Sequence, residues 1–340
     1  MKSRQHCTAC AAALAILLGG IVPFSANAQE LLFKSGYEAG TILSPPRDCW
    51  SSDPNGCWQD LVGTDSTTGF TWPPAVWGGS AAFQMIADAL VPVTPETIGA
   101  YMFNEIRNET GHNGTSTQVL YSQITQSCCC GAAPQGSGAA QNPYLLLPDP
   151  ESGDIYFSYW LKFQPDLATR MEAGPQGLGG WHWRVLSGWK TAGDYRVIAQ
   201  VNRDPWINNG ALFWVLTGDN EANGGLPYKR FWELRNVAVP VPVGEWFKVE
   251  FFWHRSSGSD GRVWVAIDGQ VIFDRFGRNM ASSNPLDPEF GFLDSPRPIN
   301  RIFQIQLYSS TSYPIYHWVD DLQIRSGFPS ICEDTPCAPH

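Results

Sequence analysis

Residues 245–274 read EWFKVEFFWHRSSGSDGRVWVAIDGQVIFD. Side chains of a β-strand point alternately to its two faces. On that rule Val263, Val265 and Ile267 share one face and Trp264 takes the other. Asp268–Gly269 separates two such runs, and Asp-Gly tolerates the positive φ angles of the tightest hairpin turn. The stretch therefore predicts an antiparallel hairpin, preceded by another strand over 245–255. Short runs rich in aromatic and β-branched residues recur at 30–38, 100–109, 154–163, 181–190, 195–203, 211–218, 229–236, 301–310 and 314–325. Broken by Gly, Pro, Asn and Ser, they have the spacing of an all-β sandwich or barrel. One helix is expected, within GSAAFQMIADA at 79–89. Residues 44–80, rich in Pro, Gly, Ser, Asp and Trp, and residues 127–143, small and polar, read as loop insertions. Strand runs continue on both sides of each insertion, so 29–340 is read as a single domain.

The chain of 340 residues begins with a basic MKSR, an apolar AAALAILLGGIV and SANAQE, where Ala26 and Ala28 form an A-x-A cleavage signature. The apolar run is short for a bilayer span. Residues 1–28 are expected to be a cleaved signal peptide and the product secreted or periplasmic, with no membrane span. The formal charge is −10, more negative once Lys2 and Arg4 leave, which argues against nucleic acid as a partner. Cys7 and Cys10 leave with the leader. In an oxidising compartment, Cys49–Cys57 would close CWSSDPNGC and Cys332–Cys337 would close CEDTPC. Cys128, Cys129 and Cys130 complete an odd count. No H-E-x-x-H, G-x-S-x-G, phosphate-binding loop or dinucleotide fingerprint is present.

FNEIRNE at 103–109 puts Phe103, Glu105, Arg107 and Glu109 on one strand face. Two glutamates at this spacing resemble the E-x-D-x-E of laminarinase-type hydrolases, with Arg107 in place of the Asp. At about 3.3 Å per residue they stand about 13 Å apart along the backbone. A retaining pair needs about 5–5.5 Å and an inverting pair about 6.5–9.5 Å, and a cation between them keeps both ionised. Glycoside hydrolysis is therefore the third choice. Arg107 reads instead as a clamp for a substrate carboxylate flanked by Glu105 and Glu109, or as a salt-bridged sheet surface. Further along, Gln304, Gln306 and Tyr308 share a face opposite Phe303, Ile305 and Leu307, as on a strand lining a groove. Fifteen tryptophans supply mostly core, and Trp264, facing away from its valine neighbours, is a candidate sugar-stacking platform.

Three segments resemble the concanavalin A-like jelly roll: LLFKSGYEAGT (31–41) as its opening strand, 241–274 as its hairpin, and WVDDLQI (318–324) as its closing strand. The resemblance implies two antiparallel sheets. Within that superfamily the chain resembles polysaccharide lyases of the heparin-lyase-I-like and alginate-lyase types. RIFQIQLYSSTSYPIYHWVDDLQI (301–324) resembles the strand that supplies their catalytic Tyr, here Tyr308, and FNEIRNE resembles their early strand, which carries Arg107. The resemblance implies β-elimination on a uronate-containing polysaccharide. Arg107, with Gln200, Gln304, Gln306 or Asn202, would neutralise the C5 carboxylate, and Tyr308 would move the protons. The family's Q-x-H falls at WRVLSGWKT (183–191), which offers Ser187 and Trp189; His182, Gln200 and Asn202 are the nearby groups that would take its place. The alternative is a lectin-like binder without chemistry. No cofactor is expected in catalysis. A structural Ca²⁺, as in relatives of this fold, would lie between Glu38 on the first strand and Asp320 or Asp321 on the last, if the terminal strands pair. The protein is expected to act as a monomer.

Overall fold

The computed structural model describes residues 30–51, 55–72, 81–87, 92–126, 140–146, 154–172, 182–191, 196–220, 229–254, 256, 258–279, 299–303, 307–308 and 314–328, with backbone alone at 140–146, 172, 182–191, 196, 220, 229, 299–303 and 307–308. These residues form an all-β sandwich of two sheets in which the pairings are antiparallel. In the first sheet the order is Gln270–Phe276, Arg262–Ile267, Trp246–His254, Asp154–Phe163, Ile315–Ser326, Ser116–Ile124 and Met102–Thr110. Leu31–Ser35 also pairs with Ile315–Ser326. In the second the order is Lys229–Asn236, Leu212–Asn220, Arg196–Arg203, His182–Thr191, Ile299–Phe303, Ala140–Leu146, Ala81–Ile86, Gly56–Thr64 and Thr41–Leu43.

The expected hairpin is present. Ile267 pairs with Gln270 across Asp268 and Gly269, whose φ angles are 49° and 73°. Val263, Val265 and Ile267 enter one large core with Phe33, Phe157 and Trp253 from their own sheet and Phe83, Val201 and Trp214 from the other. Burial of such side chains stabilises the fold by about 1.5–3 kcal/mol each.

Several expectations need correction. Trp264 does face away from that core, but it is only 1% exposed. It packs with Tyr156, Phe252 and Ala266 under the edge of Phe328, so it is no sugar platform. Residues 81–86 form a strand rather than a helix. Ala81, Phe83 and Met85 alternate into the core, and the strand is paired on both edges, by Gly56–Thr64 and Ala140–Leu146. That context outweighs the helix propensity of its alanines. The supposed loop at 44–80 holds the strands Arg47–Trp50, Gly56–Thr64 and Thr71–Trp72, and the one at 127–143 runs into Ala140–Leu146. The Cys49–Cys57 disulfide ties two of these strands. Cys128, Cys129, Cys130, Cys332, Cys337 and the leader lie outside the described residues.

A buried polar bridge joins the sheets. Asn104 Nδ2 donates to Gln59 Oε1 (3.0 Å), and the Ser122 hydroxyl donates to Asn104 Oδ1 (2.7 Å). All three residues are buried. Replacing one member strands the others in a low-dielectric layer, where an unmet polar group costs more than a hydrogen bond gains. Asn104→Leu is therefore expected to lower unfolding free energy by about 1–3 kcal/mol in urea melts, despite adding apolar volume.

Candidate functional site

The closing strand Ile315–Ser326 uses one edge for two partners. Ile315–Val319 pairs with Ser116–Ile124, and Leu322–Arg325 pairs with Leu31–Ser35. Asp320 and Asp321 fall in the gap between them. On the other edge the register with Asp154–Phe163 shifts between Ser158, opposite Gln323, and Trp160, opposite Asp320. Asp321 has φ 46°. Adjacent residues on a regular strand point to opposite faces, but a bulge re-aims them. Here both carboxylates reach one place, where ligand atoms of Asp320, Asp321 and His112 lie within 4.8 Å of one another.

They line a pocket of about 400 Å³ whose walls include Lys34, Gly36 and Glu38. His112 Nε2 lies 2.7 Å from Asp321 Oδ2, and its ring stacks on Trp160 at 4.1 Å between centroids. Thr117 donates its hydroxyl to Glu38. Glu38 lies just beyond the first strand, not on it. Asp65, fully buried, holds this floor together. Its Oδ2 accepts from the Ser35 hydroxyl and the backbone N–H groups of Gly36 and Glu38, and its Oδ1 from those of Thr67 and Thr68. Burial pushes the Asp65 carboxyl up, but these hydrogen bonds more than offset it and leave it below its ordinary value. Gly36 has no room to spare: a Cβ there would stand 3.3 Å from Asp321 Oδ1. Asp320 is the strained member, pushed up to about 8 by burial first and then by the charge of Asp321.

Sequence reading anticipated Glu38, Asp320 and Asp321 but missed His112. The missing signal was the strand at Ser116–Ile124, which makes ETGHNG a hairpin turn and delivers it to the closing strand.

The other expected residues divide between two faces. Met102 and Ile106 pack into the core, so Glu105, Arg107 and Glu109 lie on the outer face of the first sheet. Arg107 is bound to Glu105 (3.0 Å) and Glu109 (2.9 Å), and its guanidinium lies 3.6 Å from the Tyr121 ring centroid. Tyr121 is no base at neutral pH, because burial pushes its hydroxyl up to about 12. In the second sheet, Val197, Ala199 and Val201 enter the core, which turns Gln200 and Asn202 to the opposite outer face. Asn202 is buried, and among the described residues its Oδ1 has no hydrogen-bond partner. The backbones of His182, Trp189 and Tyr308 belong to this second sheet, with His182 opposite Arg203, Trp189 opposite Val197 and Tyr308 opposite Ala140. Gln304 and Gln306 lie outside the described residues. Arg107 is thus not brought together with Gln200 and Asn202: the two sets occupy opposite outer faces of the sandwich. The salt-bridged reading of FNEIRNE is the one its geometry matches.

No protein-family model matches the chain, and no curated protein matches it. Solved structures similar to it include alginate lyase Aly36B, at 15% identity over 61% of this chain and 80% of that one, with a TM-score of 0.40. The endo-β-1,4-glucuronan lyase of the fungus Trichoderma reesei is 10% identical over 68% and 91%, with a TM-score of 0.41. The marine PL-14 alginate lyase from Aplysia kurodai is 11% identical over 67% and 92%, with a TM-score of 0.36.

The raised Asp320 carboxyl has a signed consequence. An unfolded Asp ionises near pH 4, while folded Asp320 holds its proton to about pH 8. Its contribution to stability is complete below about pH 4 and is lost as pH rises through about 8. In a chelator-containing buffer, Asp320→Asn is expected to flatten the fall in melting temperature between those limits, and to melt above the wild type at the alkaline end.

Proposed function

We propose that this protein is a secreted polysaccharide lyase acting on a uronate-containing glycan by β-elimination, with its reactive face on the second sheet. The observation that carries this reading is Asn202 Oδ1, a buried amide oxygen without a partner among the described residues, beside Gln200 on an outward sheet face. A buried acceptor left unmet is costly, and a sugar hydroxyl is a donor of the right kind. The strand of Tyr308 belongs to the same sheet.

The chemistry divides among these groups. The amide N–H groups of Gln200 and Asn202, with Gln304 and Gln306 from the Tyr308 run, hold the C5 carboxylate and the charge that spreads onto it as the C5 proton leaves. Tyr308 takes that proton and returns one to the leaving glycosidic oxygen as the C4–O bond breaks. Its hydroxyl, ordinarily near 10, has to be lowered by the bound site to serve as a base. Arg107 has no part in this arrangement.

The second reading is glycan binding without cleavage. It is favoured by the confinement of Arg107 between two glutamates, which leaves the reactive face without that cation.

The pocket at the closing strand is assigned to a structural cation. Glu38, Asp320 and Asp321 supply the carboxylates, and a cation would meet the charge that Asp320 otherwise avoids by keeping its proton. Gly36 lets the backbone approach these oxygens closely. Oxygen ligands suit Ca²⁺, for which His112 would position Asp321 rather than coordinate. Zn²⁺ would engage the His112 nitrogen directly.

Two experiments test these assignments. Incubation with alginate, glucuronan and heparin should produce the ultraviolet absorbance of an unsaturated uronate from at least one polymer. Tyr308→Phe should lower that rate by at least about a hundredfold while binding persists. Turnover that survives the substitution removes Tyr308 as the base, and binding without turnover across the panel selects the lectin-like reading. For the cation, Ca²⁺ should raise the melting temperature of chelator-treated protein, and Asp321→Asn should abolish the rise. A response to Zn²⁺ alone, lost in His112→Ala, would reverse the choice of metal.

A further inference from the structure

The strand that carries Gln200 and Asn202 ends at Arg203, and the turn that follows holds out an aromatic ring. Trp206 is 91% exposed, the highest value among the large apolar side chains that the described residues expose. Phe276, the next at 62%, is covered on one face by the Arg262 guanidinium at 5.0 Å. Among the described residues nothing stacks on the Trp206 ring. Leaving an indole in water forgoes one of the largest burial gains any side chain offers.

The turn is not loose. Asp204, buried, accepts from the Trp206 backbone N–H at 2.8 Å. Ile207 N donates to Asp204 O, Gly210 N to Ile207 O, and Ala211 N to Asn208 O, at 2.9–3.1 Å. Asn208, Asn209 and Gly210 run consecutively through the left-handed region at φ 52°, 53° and 77°. That conformation is one that Asn and Gly tolerate and most residues do not. Asn208 Nδ2 reaches Leu212 O, while Arg203 braces the turn from outside, donating to Gly210 O at 2.7 Å and to Ala168 O. The backbone therefore fixes where the ring emerges, and little ordering entropy remains to be lost when a ligand stacks on it.

The surroundings select the ligand. Protein interfaces surround an anchor with further apolar area. Around Trp206 the sequence supplies Arg203, Asp204, Pro205, Ile207, Asn208 and Asn209; Ile207 is the one large apolar neighbour and is half-buried, while Asn209 is exposed. A flat apolar ring with a rim of amides suits a pyranose, which has one C–H face and a girdle of hydroxyls. Trp206 stands four positions beyond Asn202, at most about 14 Å of extended chain.

We propose that Trp206 is a sugar-stacking subsite for a polysaccharide chain that leaves the second-sheet face at the Asn202 end. This rests on the polysaccharide reading above but not on cleavage. Longer oligosaccharides reach Trp206, and those confined to the Gln200–Asn202 face do not.

The test is calorimetric titration of wild type, Trp206→Ala and Trp206→Phe with alginate and glucuronan oligosaccharides of increasing length. Sedimentation and thermal melting accompany it, since an exposed side chain can be removed without unfolding the protein. Expected are a loss of about tenfold in affinity for long chains in Trp206→Ala, little change for short ones, and substantial recovery in Trp206→Phe. If the wild type binds but never cleaves and Trp206→Ala weakens binding, the subsite stands and the lyase reading falls. If the wild type binds or cleaves long chains and Trp206→Ala matches it, the subsite falls alone. No binding by the wild type to any oligosaccharide overturns both. Self-association that disappears in Trp206→Ala overturns the subsite in favour of contact between copies of the chain.

Discussion

A strand has two edges, and the closing strand Ile315–Ser326 serves three partners with them. It gives one edge to Asp154–Phe163 and divides the other between Ser116–Ile124 and Leu31–Ser35. Among the described residues it joins Asp154–Phe163, and the strands beyond it, to Ser116–Ile124, Met102–Thr110 and Leu31–Ser35. The division leaves two residues, Asp320 and Asp321, between its partners, and the bulge opposite Trp160 turns both carboxylates to the same side. Asp65 then holds the exit of the first strand with five accepted hydrogen bonds. The pocket is a product of this pairing rather than an addition to it. Asp320, pushed up to about 8, carries the electrostatic mark of burial first and of the Asp321 charge beside it second.

Sheet-level patterning was legible because alternation is a local property. It located the hairpin around Asp268–Gly269 and the face carrying Glu105, Arg107 and Glu109, whereas the pairing of first and last strands that brings Glu38 to Asp320 and Asp321 was implied by the resemblance to the jelly roll. It failed where burial depends on what lies across a gap. The face of Trp264 was read correctly, but the cover over it comes from Phe328, far along the chain, and no local period announces that. Ala81–Ile86 looked helical within GSAAFQMIADA; two neighbouring strands, one of them inside a Pro- and Gly-rich stretch, decide otherwise. Arg107 had the right chemistry for a carboxylate clamp, and only the assignment of its strand to the opposite sheet separates it from Gln200 and Asn202.

The two outer faces of the sandwich differ in character. On the first sheet, Arg107 is matched by its own glutamates and laid over Tyr121, and Trp264 is sealed. Arg107 Nε and Trp264 Nε1 are buried there without a hydrogen-bond partner among the described residues, but the guanidinium is held by its glutamates and the indole is only 1% exposed. On the second sheet, Asn202 keeps an oxygen without a partner among the described residues and the turn beyond it displays Trp206. What sets the second sheet apart is not an unmet polar atom alone but the exposed ring of Trp206 in the turn that follows it, and this directs the functional reading to that sheet.

The pairing of the terminal strands also constrains the order of assembly. Glu30 and Ser326 meet across 296 residues of chain, so the first strand to be made waits for the last before its edge is satisfied. Contacts this remote in sequence slow folding, because chain closure must be completed before they contribute. Until then the nascent sandwich carries an open edge at its amino end, and truncation from the carboxyl end strikes the partner on which the first strand, the pocket and the first sheet all depend.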